Sequence, residues 1–164
     1  MKRTTGEINE RKIVIGMIVD SDYLKRLMSI CIPSEYLESQ AAIVIARWVE
    51  SYYRDYNKAP GENIEGIFHD HLSTLRLNPE IIDEIENDIL PSLSDEYVED
   101  GEKTNPYLFD MTLHYMRERQ AEKYTQEQQV LLDKGDLDKF YERAATFTPL
   151  IDKSNEADFN KELN

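Results

Sequence analysis

Apolar residues recur along most of this chain at intervals of three and four residues, which is the period of an α-helix. The first stripe, Ile13, Val14, Met17 and Ile18, predicts a helix that ends near Asp20. Proline, glycine and asparagine separate the stripes from one another and predict the turns between helices. The predicted helices span 7–20, 22–29 with Ser21 as its cap, 38–56, 62–76, 79–90, 94–98, 107–134 and 136–147, with a short helical turn after Pro33.

The most apolar of these segments is 38–56, whose apolar residues cover most faces of the helix. A helix that is apolar nearly all round lies at the centre of a domain. The run Ala-Ala-Ile-Val-Ile-Ala over 41–46 also fits a buried strand. Its flanks continue the helical pattern and contain no turn residues, so the sequence favours a central helix.

The last two predicted helices, 107–134 and 136–147, are separated by Gly135 and predict a long antiparallel hairpin. The middle of the first one, 117–129, contains only Ala121 and Tyr124 as weakly apolar residues. A helix that polar either passes through solvent or packs against something outside its own domain. This hairpin therefore indicates assembly or partner contact.

The fold class that these patterns predict is all-α, with a compact multi-helix globule followed by the hairpin. The predicted divisions are a globule over 1–98, a linker over 99–106, the hairpin over 107–150, and a polar tail over 151–164. The composition of that tail is typical of a disordered end or of the start of an interdomain linker.

The formal net charge of −14 changes the picture of possible partners. Basic residues are interleaved with acids, and such a surface repels the phosphates of nucleic acids. We therefore expect protein partners and no direct nucleic-acid contact through this segment. The single Cys31, between two isoleucines, is expected to be a buried structural thiol, and one cysteine forms no internal disulfide. With no apolar run long enough to span a membrane and no signal-type segment, a cytoplasmic protein is predicted.

Residues capable of chemistry are few, and their spacing is unfavourable. His69 and His71 are two apart on a predicted helix, so they point away from each other, whereas metal ligands that share a helix face lie three or four apart. His114 and Glu118 have the right spacing, but there is no second histidine in register, and a surface pair on the helix explains them better than a ligand site does. The glycines form no P-loop and no dinucleotide fingerprint. One acidic run lacks the spacing of a calcium loop; it consists of Asp95, Glu96, Glu99, Asp100 and Glu102. We therefore expect no catalytic, cofactor or metal site in this segment.

The candidate functional residues are instead those that can form one apolar seam along the predicted hairpin. Packing within the hairpin and contact between chains explain this seam equally well. The seam consists of Tyr124, Gln128, Leu131 and Leu132 on the first helix, with Leu137, Phe140, Tyr141 and Ala144 on the second.

Several segments resemble the N-terminal domain of DnaB-type replicative helicases. The opening stretch 10–20, Glu-Arg-Lys-Ile-Val-Ile-Gly-Met-Ile-Val-Asp, is similar to the first helix of that domain. The pair Tyr23-Leu24, the turn over 30–36, the central helix around 43–53, the Lys-Ala-Pro-Gly loop at 58–61 and Arg-Glu-Arg-Gln at 117–120 also match in position. The resemblance covers about 8–150. Members of that family usually carry phenylalanine where Tyr36 or Leu37 stands here, and this acidic version is most similar to phage or mobile-element helicases.

The resemblance implies a non-catalytic assembly domain of a hexameric ring helicase in DNA replication. Such domains form homo-oligomers, as dimers or a hexameric collar, by pairing their hairpins, and they offer a surface to primase or to a helicase loader. The ATP-dependent helicase activity of that family resides in a P-loop domain, which the resemblance places beyond Asn164. Gly16 would allow close helix packing, although a merely tolerated helix glycine fits the pattern too.

Two other functions fit the same sequence. An acidic helical adaptor would tether two proteins, and its reading frame would stop without a P-loop domain. A DNA mimic would inhibit a nucleic-acid-binding protein by presenting its acids on one continuous face. Its binding would weaken strongly with salt.

Overall fold

The computed structural model describes residues 6–73, 78–93 and 106–152. The predicted all-α class is confirmed, since the described ranges form helices and turns and include no strand. The helices are α1 Gly6–Val19, α2 Ser21–Met28, α3 Gln40–Tyr56, α4 Asn63–Leu72, α5 Pro79–Glu84, α6 Pro106–Asp133 and α7 Leu137–Thr146, with 3-10 turns at Pro33–Tyr36 and Pro91–Leu93 and a π-helical turn at Ile85–Ile89.

The cap of α2 differs from the sequence prediction. The Asp20 side chain, and not that of Ser21, accepts the hydrogen bond of the first turn, from the backbone N–H of Tyr23 at 3.1 Å. The Ser21 hydroxyl instead accepts from the N–H of Ala59 at 3.0 Å. Aspartate and serine are comparable caps, so local propensity did not separate the two, and the loop carrying Ala59 decided between them.

The central helix is α3, as predicted. Ser39 caps its N-terminus by accepting from the N–H of Ala42, and Asn57 ends it in the left-handed conformation at φ 56°. One face carries a buried carboxylate, Glu50, which accepts from both the N–H and the hydroxyl of Ser34 at 2.8 Å each. These bonds fix the 3-10 turn against α3. The residues of α3 that are buried are Ala41, Ala42, Ile45, Ala46, Trp48, Val49 and Glu50.

A second buried carboxylate, Glu10 of α1, accepts from the N–H groups of Glu38 and Ser39 at 2.9 Å each. These N–H groups lie at the N-terminus of α3, where backbone donors have no hydrogen-bond partner within the helix. Buried charged groups are retained only where such hydrogen bonds exist. Glu10 therefore joins α1 to the start of the central helix.

The helix predicted to close at Pro91 consists of α5 followed by the π-helical turn. Asn78 caps α5 by accepting from the N–H of Glu80 at 2.9 Å. Ile85 and Ile89 of the π-helical turn are buried. The predicted end of α4 at Arg76, the short helix over 94–98, the linker over 99–105 and most of the polar tail lie outside the described residues.

The first turns of α6 pack on α1 and α2 through Tyr23. Its ring meets the edge of Phe109 with centroids 6.3 Å apart, and its hydroxyl bonds with that of Thr112 at 2.5 Å. Burial raises the pKa of Tyr23, so its hydroxyl stays protonated. Arg26 lies 3.8 Å above the ring of Phe109. Gly16 makes room for the Tyr23 ring, as the close-packing interpretation of this glycine predicted.

The contacts divide the chain into two compact units, residues 1–112 and 113–164. This boundary falls inside α6, whereas the sequence placed a linker over 99–106, most of which the structure does not describe. Within the described ranges, no helix combines the length and the apolar character needed to cross a membrane.

Candidate interaction surface

The turn between α6 and α7 is built around Gly135, as the sequence predicted. Gly135 adopts φ +73°, a conformation that glycine enters without steric cost. Its N–H bonds to the carbonyl of Leu132 at 3.0 Å, and the N–H of Asp136 bonds to that of Leu131 at 2.9 Å. This pair of bonds is a Schellman motif, which satisfies the last carbonyls of α6. The Asp136 side chain then caps α7 by accepting from the N–H of Lys139.

A hydrogen bond and an ion pair join the second half of α6 to α7. Gln128 donates from Nε2 to the carbonyl of Phe140 at 3.0 Å, and Arg143 pairs with Glu127 at 3.1 Å. The pairings run in opposite directions along the two helices, so α6 and α7 are antiparallel. The Oε1 atom of Gln128 is buried and has no hydrogen-bond partner among the described residues.

The residues after α7 continue along α6 as an extended strap over 147–150. Phe147 lies against the Tyr124 ring, with centroids 4.3 Å apart. The side-chain amide of Gln120 makes two hydrogen bonds to the strap. Its Nε2 donates to the carbonyl of Thr148 at 2.8 Å, and its Oε1 accepts from the N–H of Leu150 at 3.0 Å. This contact was not predicted from the sequence, since the pattern around a glutamine in a polar helix does not indicate its partner.

Helix α7 itself has no buried residue. Leu137 is 50% exposed and Tyr141 is 66% exposed, and on the neighbouring end of α6 Val130 and Leu132 are 48% and 49% exposed. These four side chains, within twelve positions of sequence, are half of the large apolar side chains that the structure describes as exposed. Exposed apolar side chains concentrated in this way make this end of the hairpin a candidate contact surface.

The eight residues of the predicted seam fall into two groups. Tyr124, Gln128 and Phe140 take part in contacts within the hairpin, and Gln128 also donates to the Tyr124 hydroxyl at 3.3 Å. Leu131 is half-buried. Leu132, Leu137, Tyr141 and Ala144 face solvent. A contact of the exposed group with another chain stays a prediction.

A shallow groove of about 410 Å³ runs beside the same pair of helices. Its apolar lining residues are Val130 and Leu131, and its charged lining residues carry both signs of charge. The residues that line it are Lys123, Gln126, Glu127, Val130, Leu131 and Arg143. Apolar surface with a charged rim is the usual composition of a protein contact site.

The three histidines take part in packing or lie on the surface. His71 stacks on Trp48 at 4.9 Å, and its Nδ1 lies 2.8 Å from the carbonyl of Ile67, which requires Nδ1 to donate. His69 is exposed on a different side of α4, and His114 pairs with Glu118 on the surface of α6 at 2.9 Å. Among the described residues, no group of three or more metal-ligating side chains comes together. The acidic run over 95–102 lies outside the described ranges.

Cys31 is half-buried, whereas the sequence predicted a buried thiol. The adjacent Ile32 is exposed, so the segment is less deeply placed than its composition indicates. Burial, and to a smaller extent the nearby charges of Glu50 and Glu35, raise the pKa of Cys31 to about 12. Because the thiolate is the reactive form, this cysteine is a poor nucleophile at neutral pH.

Comparison with protein-family models, with curated proteins and with solved structures finds no match to this chain. The fold and the surfaces described above therefore define an all-α protein, and the resemblance to the helicase domain rests on its sequence pattern alone.

Proposed function

We propose that this chain is a non-catalytic assembly and partner-binding domain that pairs with further copies of itself through the hairpin formed by α6 and α7. The observation that carries the proposal is the burial state of α7. A ten-residue helix is only marginally stable in water without packing, yet no residue of α7 is buried.

The exposed residues of α7 form a stripe suited to a partner. Leu137, Tyr141 and Ala144 recur at intervals of four and three residues, so they lie on one side of the helix. An apolar stripe of this kind is normally covered by another element. A second copy is a suitable cover because residues 113–164 carry 11 acids and 8 bases, whereas residues 1–112 carry 22 acids and 11 bases. Copies that meet through their hairpins repel one another least.

The more specific form of the proposal is a regulatory and assembly domain like that of DnaB-type replicative helicases. Its support is the sequence pattern from Glu10 to Asp20 together with the later matching segments, and Gly16 allows the close helix packing that the resemblance implies. In this form the domain is cytoplasmic, supports a ring in DNA replication and presents a surface to primase or a loader. A reading frame that continues past Asn164 into a P-loop domain would support it, and a stop without one would favour an adaptor.

A DNA mimic is the second candidate, and one segment favours it. Residues 78–93 carry acids without a single base, although Arg11 pairs with one of them, Asp88, at 2.9 Å. Binding of a basic, DNA-binding partner to this segment would support the mimic. The acids are Glu80, Asp83, Glu84, Glu86 and Asp88.

The test of assembly is the molar mass of the chain in solution, measured by light scattering over a range of concentrations. We compare the wild type with Tyr141→Asp, which puts a charge on the exposed apolar stripe, and with Thr125→Asp, which puts the same charge at an exposed polar position of α6. We expect a dimer or larger assembly that Tyr141→Asp dissociates and Thr125→Asp leaves intact.

A wild type that remains monomeric at every concentration would refute self-assembly through this segment. Equal dissociation by both variants would show that added charge, and not the apolar stripe, controls the mass. Circular dichroism of each variant checks that the helices remain folded.

A further inference from the structure

The first unit carries an exposed aromatic pair at the end of α3. Trp48, Tyr52 and Tyr56 follow one another at intervals of four residues and therefore lie along one side of the helix. Trp48 is buried against Phe68, with centroids 6.2 Å apart. Tyr52 is half-buried and Tyr56 is 61% exposed, so the row of rings emerges at the surface.

The two tyrosine rings form a fixed platform. Their centroids are 4.5 Å apart and their planes are inclined by 40°. Asn63 of α4 donates from Nδ2 to the Tyr52 hydroxyl at 3.1 Å, which ties the inner ring to the neighbouring helix. Asn57 ends α3 directly after Tyr56. Tyr52 and Tyr56, the tyrosine platform, thus present ring faces that are ordered before a partner arrives.

The net charge of the first unit favours a cation at the platform, although the exposed base Lys58 follows Tyr56 by two residues. Asp55 is three residues from Tyr52 and therefore lies on the same side of α3. Arg54 is four residues from Glu50, on the other side of the helix from the rings. The first unit as a whole has 22 acids and 11 bases, which attracts cations and repels phosphates.

We propose that the tyrosine platform binds an arginine or lysine side chain from a basic segment of a partner protein. The face of an aromatic ring is negative and attracts a cation placed over it. A carboxylate beside the rings adds a charge partner for the same group. This site does not depend on the assembly function proposed above, and it adds a contact for a basic partner to a chain of net charge −14.

The test measures binding of a fluorescently labelled peptide of alternating arginine and glycine to the full chain by anisotropy at low salt. A peptide with glutamine in place of arginine controls for backbone binding. Tyr56→Ala removes the outer ring, and Tyr56→Phe keeps it. The matched control is Tyr107→Ala, which removes a tyrosine that is 71% exposed at another position of the same unit.

We expect the arginine peptide to bind and the glutamine peptide not to bind. Tyr56→Ala should raise the Kd about two- to fivefold, as expected for loss of one cation–π contact. Tyr56→Phe and Tyr107→Ala should leave the Kd unchanged. Equal weakening by Tyr56→Ala and Tyr107→Ala, no effect of either, or no binding of the arginine peptide would overturn the proposal.

Discussion

Replacing Gly16 with alanine tests the closest helix contact in the first unit. A Cβ atom at this position would lie 2.8 Å from Cε1 of Tyr23 and 3.2 Å from Cδ2 of Leu108. Carbon atoms in optimal contact are about 3.5–4.0 Å apart, so both neighbours would have to move. The Tyr23 ring has little freedom to do so, because it is buried and bonded through its hydroxyl to Thr112.

Gly66 of α4 supplies the matched control. It also lies inside a helix, but a Cβ added there would meet no heavy atom within 4 Å. Alanine stabilises a helix interior by about 1 kcal/mol relative to glycine, and both variants receive this gain. Overpacking costs about 1–3 kcal/mol, and only Gly16→Ala incurs it. The free energy of unfolding of Gly16→Ala should therefore be about 1–3 kcal/mol below that of Gly66→Ala.

The assay is urea denaturation followed by the fluorescence of Trp48, the single tryptophan, which reports on the first unit. We expect Gly66→Ala to unfold at a higher urea concentration than the wild type, and Gly16→Ala to unfold at a lower concentration than Gly66→Ala. In a Tyr23→Ala background the cost of Gly16→Ala should shrink, because the contact is gone. Equal midpoints for the two glycine variants would refute the close-packing argument.

Two further predictions concern buried polar side chains. Burial raises the pKa of Glu50 above its ordinary value of 4.5. The folded state therefore binds the proton of the Glu50 carboxyl group more tightly than the unfolded state does. As the pH rises from 4.5 through the raised pKa, this proton is lost and the contribution of Glu50 to stability falls. The glutamine of Glu50→Gln does not titrate, so the free energy of unfolding of this variant relative to the wild type should increase over that pH window in urea titrations. A difference between the two proteins that stays constant with pH would contradict the argument. Gln128→Met should raise the thermal midpoint and increase the free energy of unfolding by about 1 kcal/mol, because it removes the unsatisfied Oε1 atom while keeping the side-chain volume. A lower midpoint would show that the bond to the carbonyl of Phe140 contributes more than the unsatisfied atom costs.

Part of the candidate surface was predictable from local pattern. Gly135 marked the turn because a left-handed residue there has few alternatives to glycine. The seam residues followed from helical periodicity, which identifies a face of a helix but not what covers that face. The strap and the double hydrogen bond from Gln120 were not predictable, since they join residues 28 and 30 positions apart.

The sequence by itself determined the all-α class and the approximate limits of most helices, because periodicity, caps and breakers act over a few residues. It also determined the acidic character of the chain. Only the tertiary structure decided that Asp20 caps α2, that Glu10 and Glu50 are buried, and that α7 has an uncovered apolar stripe. The first three depend on partners distant in the sequence, namely the Ala59 loop, the 38–39 backbone and the Ser34 turn. The stripe depends on which side chains the tertiary contacts leave exposed. Burial depends on contacts between residues that are distant in the sequence, and the local sequence pattern does not reveal those contacts.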